Sequence, residues 1–274
     1  MRSTREAPLR VALIGWGAIG RTVGRLLSGS PISDRVEIIA VGVQDREVAR
    51  DELPPLAALI TEPAELVGLK PDVVAEAAGR GSVQPWGEVA LTTGADFIVS
   101  SVSAFADTAL LESMTALADA NDSRLHIQPG ALAGVDALSA ARLMGIDAVE
   151  HRIIKPVEAW EGTPAAADFD LASLTEETML FEGSAAQTAT NFPKNANVAM
   201  TTALAGIGPE RTQVRLIADP TATTNRHEVS ATGAFGRLEV VIANNPLPDN
   251  PKTSAMAALA LARAIQNRES TIVI

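Results

Sequence analysis

Apolar positions along the chain fall into two textures. Up to about residue 130, short apolar runs alternate with stretches of helical period. Leu9–Ile14, Val36–Val43, Asp72–Glu76, Phe97–Ser100 and Arg124–Gln128 read as strands, and Ile19–Leu27, Trp86–Thr93 and Leu110–Ala120 as helices. A near-continuous run such as VEIIAVGV fits a strand covered on both faces. Repeated strand–helix–strand units with short loops therefore predict an α/β fold with a Rossmann-type, doubly wound parallel sheet. From about Val135 the pattern becomes strict alternation. Val214, Leu216 and Ala218 share one face opposite Gln213 and Arg215, and Leu238, Val240 and Ile242 repeat the arrangement, with His227–Thr232 between them. This predicts a second, α+β domain built on an antiparallel sheet with one wet face. Helices are expected at Asn197–Ala205, stopped by Gly206–Pro209, and at Ser254–Asn267.

The first strand runs directly into Gly15-x-Gly17-x-x-Gly20 and then a helix, the context in which this glycine spacing carries meaning. Gly15 allows the tight turn, Gly17 lets backbone amides approach a pyrophosphate, and Gly20 lets the helix lie close on the strand. With Ala18 and Ile19 these glycines present a helix N-terminus to a dinucleotide. The second apolar strand ends in Gln44-Asp45-Arg46, where an acid takes the adenosine ribose hydroxyls. Asp45 leans the expectation towards NAD, while Arg46 beside it admits NADP. The loops after later strands, including Ala78-Gly79 and Pro129–Gly134, lie at the carboxyl ends where such sheets bind ligands. The expected organisation is a dinucleotide domain over 1–134, an α+β domain over 135–250, and a C-terminal helix over 251–274 packing back on the first.

Composition narrows the classes. The chain has 274 residues, 47% of them hydrophobic, yet no apolar run approaches the roughly 20 residues that cross a bilayer. The opening MRSTREAPLR is polar and reads as neither a signal nor a transit peptide. With no cysteine, disulfides, thiolate metal sites and cysteine nucleophiles are excluded, and no other metal-ligand pattern is present. A net charge of −11 with scattered Lys and Arg argues against nucleic acid and anionic membrane as partners. A cytoplasmic protein acting on small molecules is expected.

Polar groups in the second domain cluster in three segments: Thr190–Asn197 (TNFPKNAN), Asn225–Glu228 (NRHE) and Asn250–Ser254 (NPKTS). Each also reads as an ordinary helix start or turn, which Asn, Ser and Thr cap well. Of three histidines, His126 and His151 are placed at strand ends among apolar neighbours, leaving His227 in a polar string.

Taken in order and spacing, GWGAIG, EAAG (76–79), SVSAFAD (101–107), PGALAGVDAL (129–138), KPVEAWEGT (155–163), NFPKNANVA (191–199), ADPTATTNRHEV (218–229) and NPKTS (250–254) resemble the L-aspartate dehydrogenases over about residues 9–268. The resemblance implies NAD- or NADP-dependent oxidative deamination of L-aspartate through iminoaspartate to oxaloacetate and ammonia, a link to NAD synthesis, and a homodimer or higher homo-oligomer. It places the catalytic histidine on His227 and nicotinamide-side contacts on Ala131 and Asn197. Arg80, Ser103 and Val157 stand where the family commonly has other residues. A dicarboxylate needs cationic or hydrogen-bonding partners, for which Lys194, Asn191, Lys155 and Thr253 are the candidates, Lys194 first because Asn191 and Asn197 bracket it. Two other readings stay open: a dehydrogenase or reductase of another amino or imino acid on the same plan, and a non-catalytic NAD(H)-binding sensor. Retention of His227 and the asparagine-rich strings argues against the sensor, which needs no proton-transfer group.

Overall fold

The computed structural model describes residues 7–273, apart from the side chains of Lys194, Pro251 and Lys252. Residues 1–6, most of the polar opening segment, therefore lie outside the described residues. The chain forms two compact units, Met1–Gln128 with Ala257–Ile274, and Pro129–Met256.

In the first unit, β1 (Leu9–Ile14), β2 (Val36–Gly42), β3 (Ala58–Ile60), β4 (Val73–Glu76), β5 (Asp96–Val99) and β6 (Leu125–Ile127) make a sheet in the order β3-β2-β1-β4-β5-β6. Every pairing is parallel. This is the doubly wound order, whose switch point lies between β1 and β4. The apolar runs are strands because both faces are covered. Val11, Ala12, Leu13, Val74, Phe97 and Ile98 are fully buried. The helices are α1 (Ala18–Ser28), the short α2 (Leu66–Leu69), α3 (Arg80–Thr92) and α4 (Thr108–Ala120), the last capped by Asp107 Oδ1 on the amides of Ala109 and Leu110. Helix α3 starts at Arg80 rather than Trp86. Gly81 and Pro85 disguise its first turns, but a proline this near the N-terminus removes only one ladder hydrogen bond.

In the second unit, β7 (Ile146–Lys155), β8 (Thr178–Ser184), β9 (Gln213–Ala218), β10 (Asn225–Gly233) and β11 (Gly236–Asn244) are ordered β11-β10-β7-β9-β8. All pairs are antiparallel except β7 with β9, so the sheet is mixed at its centre. Short helices α5 (Val135–Ala141), α6 (Ala165–Asp168) and α7 (Ala185–Asn191), the longer α8 (Ala196–Ala205), and a hairpin of β12 (Pro246–Leu247) and β13 (Asn250–Ser254) complete it. One sheet face buries Val149, His151, Ile153, Val214, Leu216, His227 and Val229. Its other face carries a ladder of charges. Arg215 bridges Glu150 (2.8 Å) and Glu182 (2.9 Å), and Arg152 and Arg226 share Glu177 and Glu228. That is the wet face the alternation predicts.

The chain ends in α9 (Ala255–Gln266), whose later turns belong to the first unit, where Gln266 Nε2 donates to Ser30 Oγ at 3.2 Å and Arg268 pairs with Asp96 at 2.6 Å.

Candidate active site

In the first unit the turn after β1 is built from backbone. Gly15 N donates to Gly42 O and Ala77 N to Ile14 O, both at 2.8 Å. Gly15 has φ +100°, and a Cβ there would meet Ala77 O at 2.7 Å. A Cβ on Gly20 would lie 2.1 Å from Gly15 O, so only glycine lets α1 start this close to the strand. Gly17 is different: nothing lies within 4 Å of where its Cβ would be. It is also the N-cap of α1 and provides no side-chain cap. Unfilled space in front of an uncapped helix N-terminus fits a pyrophosphate. Ala18 and Ile19 form the first turn behind it.

A cavity of about 660 Å³ opens at this turn, walled by Gly15, Gly17, Ala78 and Gly79, with Gln44 and Arg50 at the β2 side. Arg50 and Arg80 are its charged wall residues. Asp45 and Arg46 stand outside the wall. Asp45 Oδ1 accepts from Glu47 N at 2.8 Å, and Arg46 pairs with Glu65.

A residue that the glycine pattern does not single out shapes this cavity. Glu76, fully buried at the end of β4, accepts from Ala78 N (2.8 Å), Gly79 N (2.8 Å), Ser82 Oγ (3.1 Å) and Ser101 Oγ (2.9 Å) through Oε1. Its Oε2 accepts from Ser101 N (2.9 Å) and Ser100 N (3.3 Å). One carboxylate thus ties together the loops following β4 and β5. The sequence signal is a lone charge closing an apolar strand before three small residues.

In the second unit the register of β7 and β10 assembles the polar cluster. His227 on β10 pairs with Ile153 on β7. The neighbours of Ile153 on that face, two residues either way, are His151 and Lys155. His151 lies in the middle of the ten-residue β7, not at a strand end, fully buried. Its Nε2 meets His227 Nδ1 at 3.2 Å, and its Nδ1 meets Thr202 Oγ1 of α8 at 2.9 Å. Lys155 closes β7, hydrogen-bonds Asn195 Oδ1, and sits 5.5 Å from the ring centre of Trp160.

Burial sets the charge states. His227 is pushed down to about 3, by burial first and then by the charge of Lys155. Burial, then His227, holds His151 well below the ordinary histidine value. Burial also lowers Lys155 to about 8. At neutral pH both imidazoles are neutral and Lys155 carries the cluster's charge.

A second cavity, of about 450 Å³, is walled by Lys155, Asn195, Asn244, Thr223, Thr224 and Asn225 among others. Among the described residues, Lys155 is its only basic wall residue. His227, 3% exposed, is not part of the wall and is coupled to it through Lys155. Asn244 Nδ2 donates to Ala131 O at 2.9 Å, which places Ala131 beside this wall, while Asn244 Oδ1 is buried without a partner among the described residues.

A family model described as "Aspartate dehydrogenase, C-terminal" matches residues 136–268, and one described as "Homoserine dehydrogenase, NAD binding domain" matches residues 15–128. The L-aspartate dehydrogenase of Brucella anthropi is 53% identical over 264 residues, covering 96% of this chain and 98% of that protein. That of Ralstonia nicotianae is 42% identical over 267 residues, covering 96% and 99%. The chain belongs to the L-aspartate dehydrogenase family. The crystal structure of aspartate dehydrogenase from Thermotoga maritima superposes with a TM-score of 0.75 at 27% identity, covering 97% of this chain and 99% of that one. The family assignment and the Rossmann-type parallel sheet agree with the sequence reading, and the NAD-binding model starts at the turn after β1 and takes in β2 to β6.

Other residues named from sequence are placed as follows. Asn191 ends α7 and Asn197 lies in the first turn of α8, both exposed. Thr253 is half-buried on β13. The side chain of Lys194 lies outside the described residues. Arg80 begins α3, Ser103 is buried in the turn Val102–Ala106, and Val157 begins the turn Val157–Trp160 that supplies the ring beside Lys155. Among the described residues no helix is long and apolar enough to cross a membrane, and no cluster of three His, Cys, Asp or Glu could hold a metal ion.

Proposed function

We propose that this protein oxidises L-aspartate with NAD or NADP, giving oxaloacetate and ammonia through iminoaspartate. The observation that carries the reading is the full-length match to L-aspartate dehydrogenases, to which the two cavities add suitable chemistry. When bound, the nicotinamide accepts a hydride from the substrate α-carbon. The protein's contribution to that step is positional. Gly17 and the start of α1 hold the pyrophosphate, and Glu76 fixes the Ala78-Gly79 turn. Arg50, on the wall near the end of β2, is a cation that can meet a 2′-phosphate, whereas Asp45 suits an unphosphorylated ribose.

In the second unit, Asn195, Thr223, Thr224 and Asn225 offer hydrogen bonds to a dicarboxylate, and Lys155 is a wall cation that can meet one of its carboxylates. His227 is the proposed acid–base group for adding water to the imine. The assignment follows the family resemblance; burial and Lys155 hold the imidazole neutral beneath the cavity wall. Ala131 and Asn197 are proposed as contacts for the nicotinamide end, and assembly of more than one copy is proposed from the family resemblance.

The test mixes purified protein with NAD or NADP and a panel of amino acids at alkaline pH, following absorbance of the reduced nicotinamide. L-aspartate is expected to give the highest kcat/KM. A different amino acid in first place would overturn the substrate, and no reduction with any would leave a binding protein.

A further inference from the structure

Oxidative deamination needs the substrate amine as a free base, because a lone pair on nitrogen must push the hydride off the α-carbon. Amino acids arrive as ammonium ions, so a group in the site must remove a proton first. His227 does not line the cavity of the second unit; Lys155 does. Its nitrogen hydrogen-bonds Asn195 Oδ1 and faces the Trp160 ring, and it forms no ion pair with a carboxylate among the described residues. Asn244 supplies the second observation. Its Nδ2 is used on Ala131 O, and its Oδ1 is a buried acceptor without a partner among the described residues, in a residue that lines the same cavity. A buried, orphaned acceptor is a costly feature that an N–H donor from a ligand would satisfy.

We infer that Lys155 is the base that takes the proton from the substrate α-ammonium group, with Asn244 Oδ1 accepting one of the nitrogen's remaining N–H bonds. The assignment rests on the reading of the chain as an amino-acid dehydrogenase. In the step, one N–H bond of the ammonium breaks and its electron pair stays on the amine nitrogen. A new N–H bond forms on Lys155 Nζ, and Asn195 Oδ1 and the Trp160 ring face hold the resulting cation. The free lone pair is what C=N formation requires, for which a bound oxidised nicotinamide would take the hydride, and Lys155 returns its proton to solvent.

Three features keep Lys155 able to cycle. Burial lowers it to about 8, within reach of neutral and mildly alkaline pH. From β10 it faces His227, which is neutral, so no carboxylate there locks the ammonium in place. Glu158 and Glu161 line the same cavity but are exposed, and Asp219, beyond β9, is engaged by Thr221 and Arg226. A second cation arriving as the substrate ammonium also favours loss of one proton from the pair.

The experiment uses Lys155→Arg, Lys155→Met and Lys155→Cys. Arginine keeps the charge and cannot give up its proton, so it preserves a carboxylate anchor and abolishes a base. Lys155→Arg and Lys155→Met are expected to lose about 10²-fold or more in kcat with L-aspartate while binding NADH as wild type does. The acid limb of kcat/KM, near pH 8 in wild type, should be missing from the residual activity. Because the chain contains no cysteine, Lys155→Cys can be alkylated at that one position with 2-bromoethylamine. This installs a less basic amine of lysine length, and should restore turnover with the acid limb moved to lower pH. Independently of turnover, acetic anhydride labelling of Lys155 in wild type, read by mass spectrometry across pH, should show a midpoint near 8. Near-wild-type kcat in Lys155→Arg, an unmoved limb after alkylation, or a labelling midpoint at the ordinary lysine value would each overturn the inference. If wild type prefers another amino acid, the substrate reading alone fails, and the same variants test the base on that substrate. If it oxidises none, both fail.

Discussion

At the scale of single residues, burial decides what each ionisable group can do. His227 and His151 are neutral because the sheet's inner face desolvates them, and Lys155 holds its charge weakly for the same reason. His227→Asn keeps size and one hydrogen-bonding edge but cannot cycle a proton near pH 7. Its aspartate turnover is expected to fall by about 10²-fold or more with NAD affinity unchanged, measured by steady-state rates and calorimetry on one preparation. Stability gives a second reading. The folded His227 value lies below the unfolded one, so between pH 6.5 and about 3 the unfolded chain binds the extra proton. Stability is therefore fully present above pH 6.5 and falls with pH below it, by up to about 1.4 kcal/mol per pH unit for each such histidine. Thermal melts from pH 7 to 5 should show a shallower fall in His227→Asn than in wild type; equal slopes would contradict the burial account. Lys155 obeys the same sign between 10.5 and about 8, so Lys155→Met is expected to melt higher than wild type at pH 7. His227 was singled out in the sequence by the family resemblance. His151 was not, because Glu150, Arg152 and the close of the strand at Lys155 disguise a central strand whose inward positions alternate through Val149, His151 and Ile153.

At the scale of elements, the strand–turn–helix around Gly15–Gly20 separates two kinds of glycine requirement. Gly17 has ordinary φ and open space, so Gly17→Val should fold and yet fill the pyrophosphate's place, weakening NAD(H) binding at least tenfold, about 1.4 kcal/mol. Unchanged calorimetric affinity in the folded variant would contradict that cradle. Gly20→Ala instead collides with Gly15 O and should lower the melting temperature first. The carboxylate that ties two turns together makes a further test of elements. Glu76→Gln points an amide group at a cluster of N–H and O–H donors, and should destabilise by about 2–3 kcal/mol and weaken NAD binding together. Full NAD affinity in that variant would show that the Ala78-Gly79 turn holds its shape without the carboxylate. The glycine spacing was readable because Gly15 and Gly20 answer local steric demands and Gly17 leaves space before the helix. Glu76 was not, because its partners at Ser100 and Ser101 are brought to it only by the pairing of β4 with β5.

At the scale of the whole molecule, two textures of hydrophobic pattern became two units with different sheets. Five strands of the parallel sheet were legible because burial writes apolar runs, whereas the edge strand β3 was not, being three residues long with only Ile60 buried. The second sheet was legible only where alternation is clean, in β9 and β11. Its order was not, since β7 separates β9 from β10 and runs parallel to β9, a long-range pairing that no local pattern encodes. Cofactor choice belongs at this scale too, because Arg50 reaches the cavity wall from beyond the strand end where Asp45 and Arg46 were read. The ratio of kcat/KM for NADP over NAD is expected to fall in Arg50→Ala and to rise in Asp45→Ala.

The most direct measurement is product stoichiometry with purified wild-type protein, L-aspartate and NAD. Reduced nicotinamide, oxaloacetate and ammonia are quantified from the same reaction. The account predicts equal amounts of all three, appearing only when L-aspartate is present. Reduction without matching ammonia, or ammonia without oxaloacetate, would contradict it.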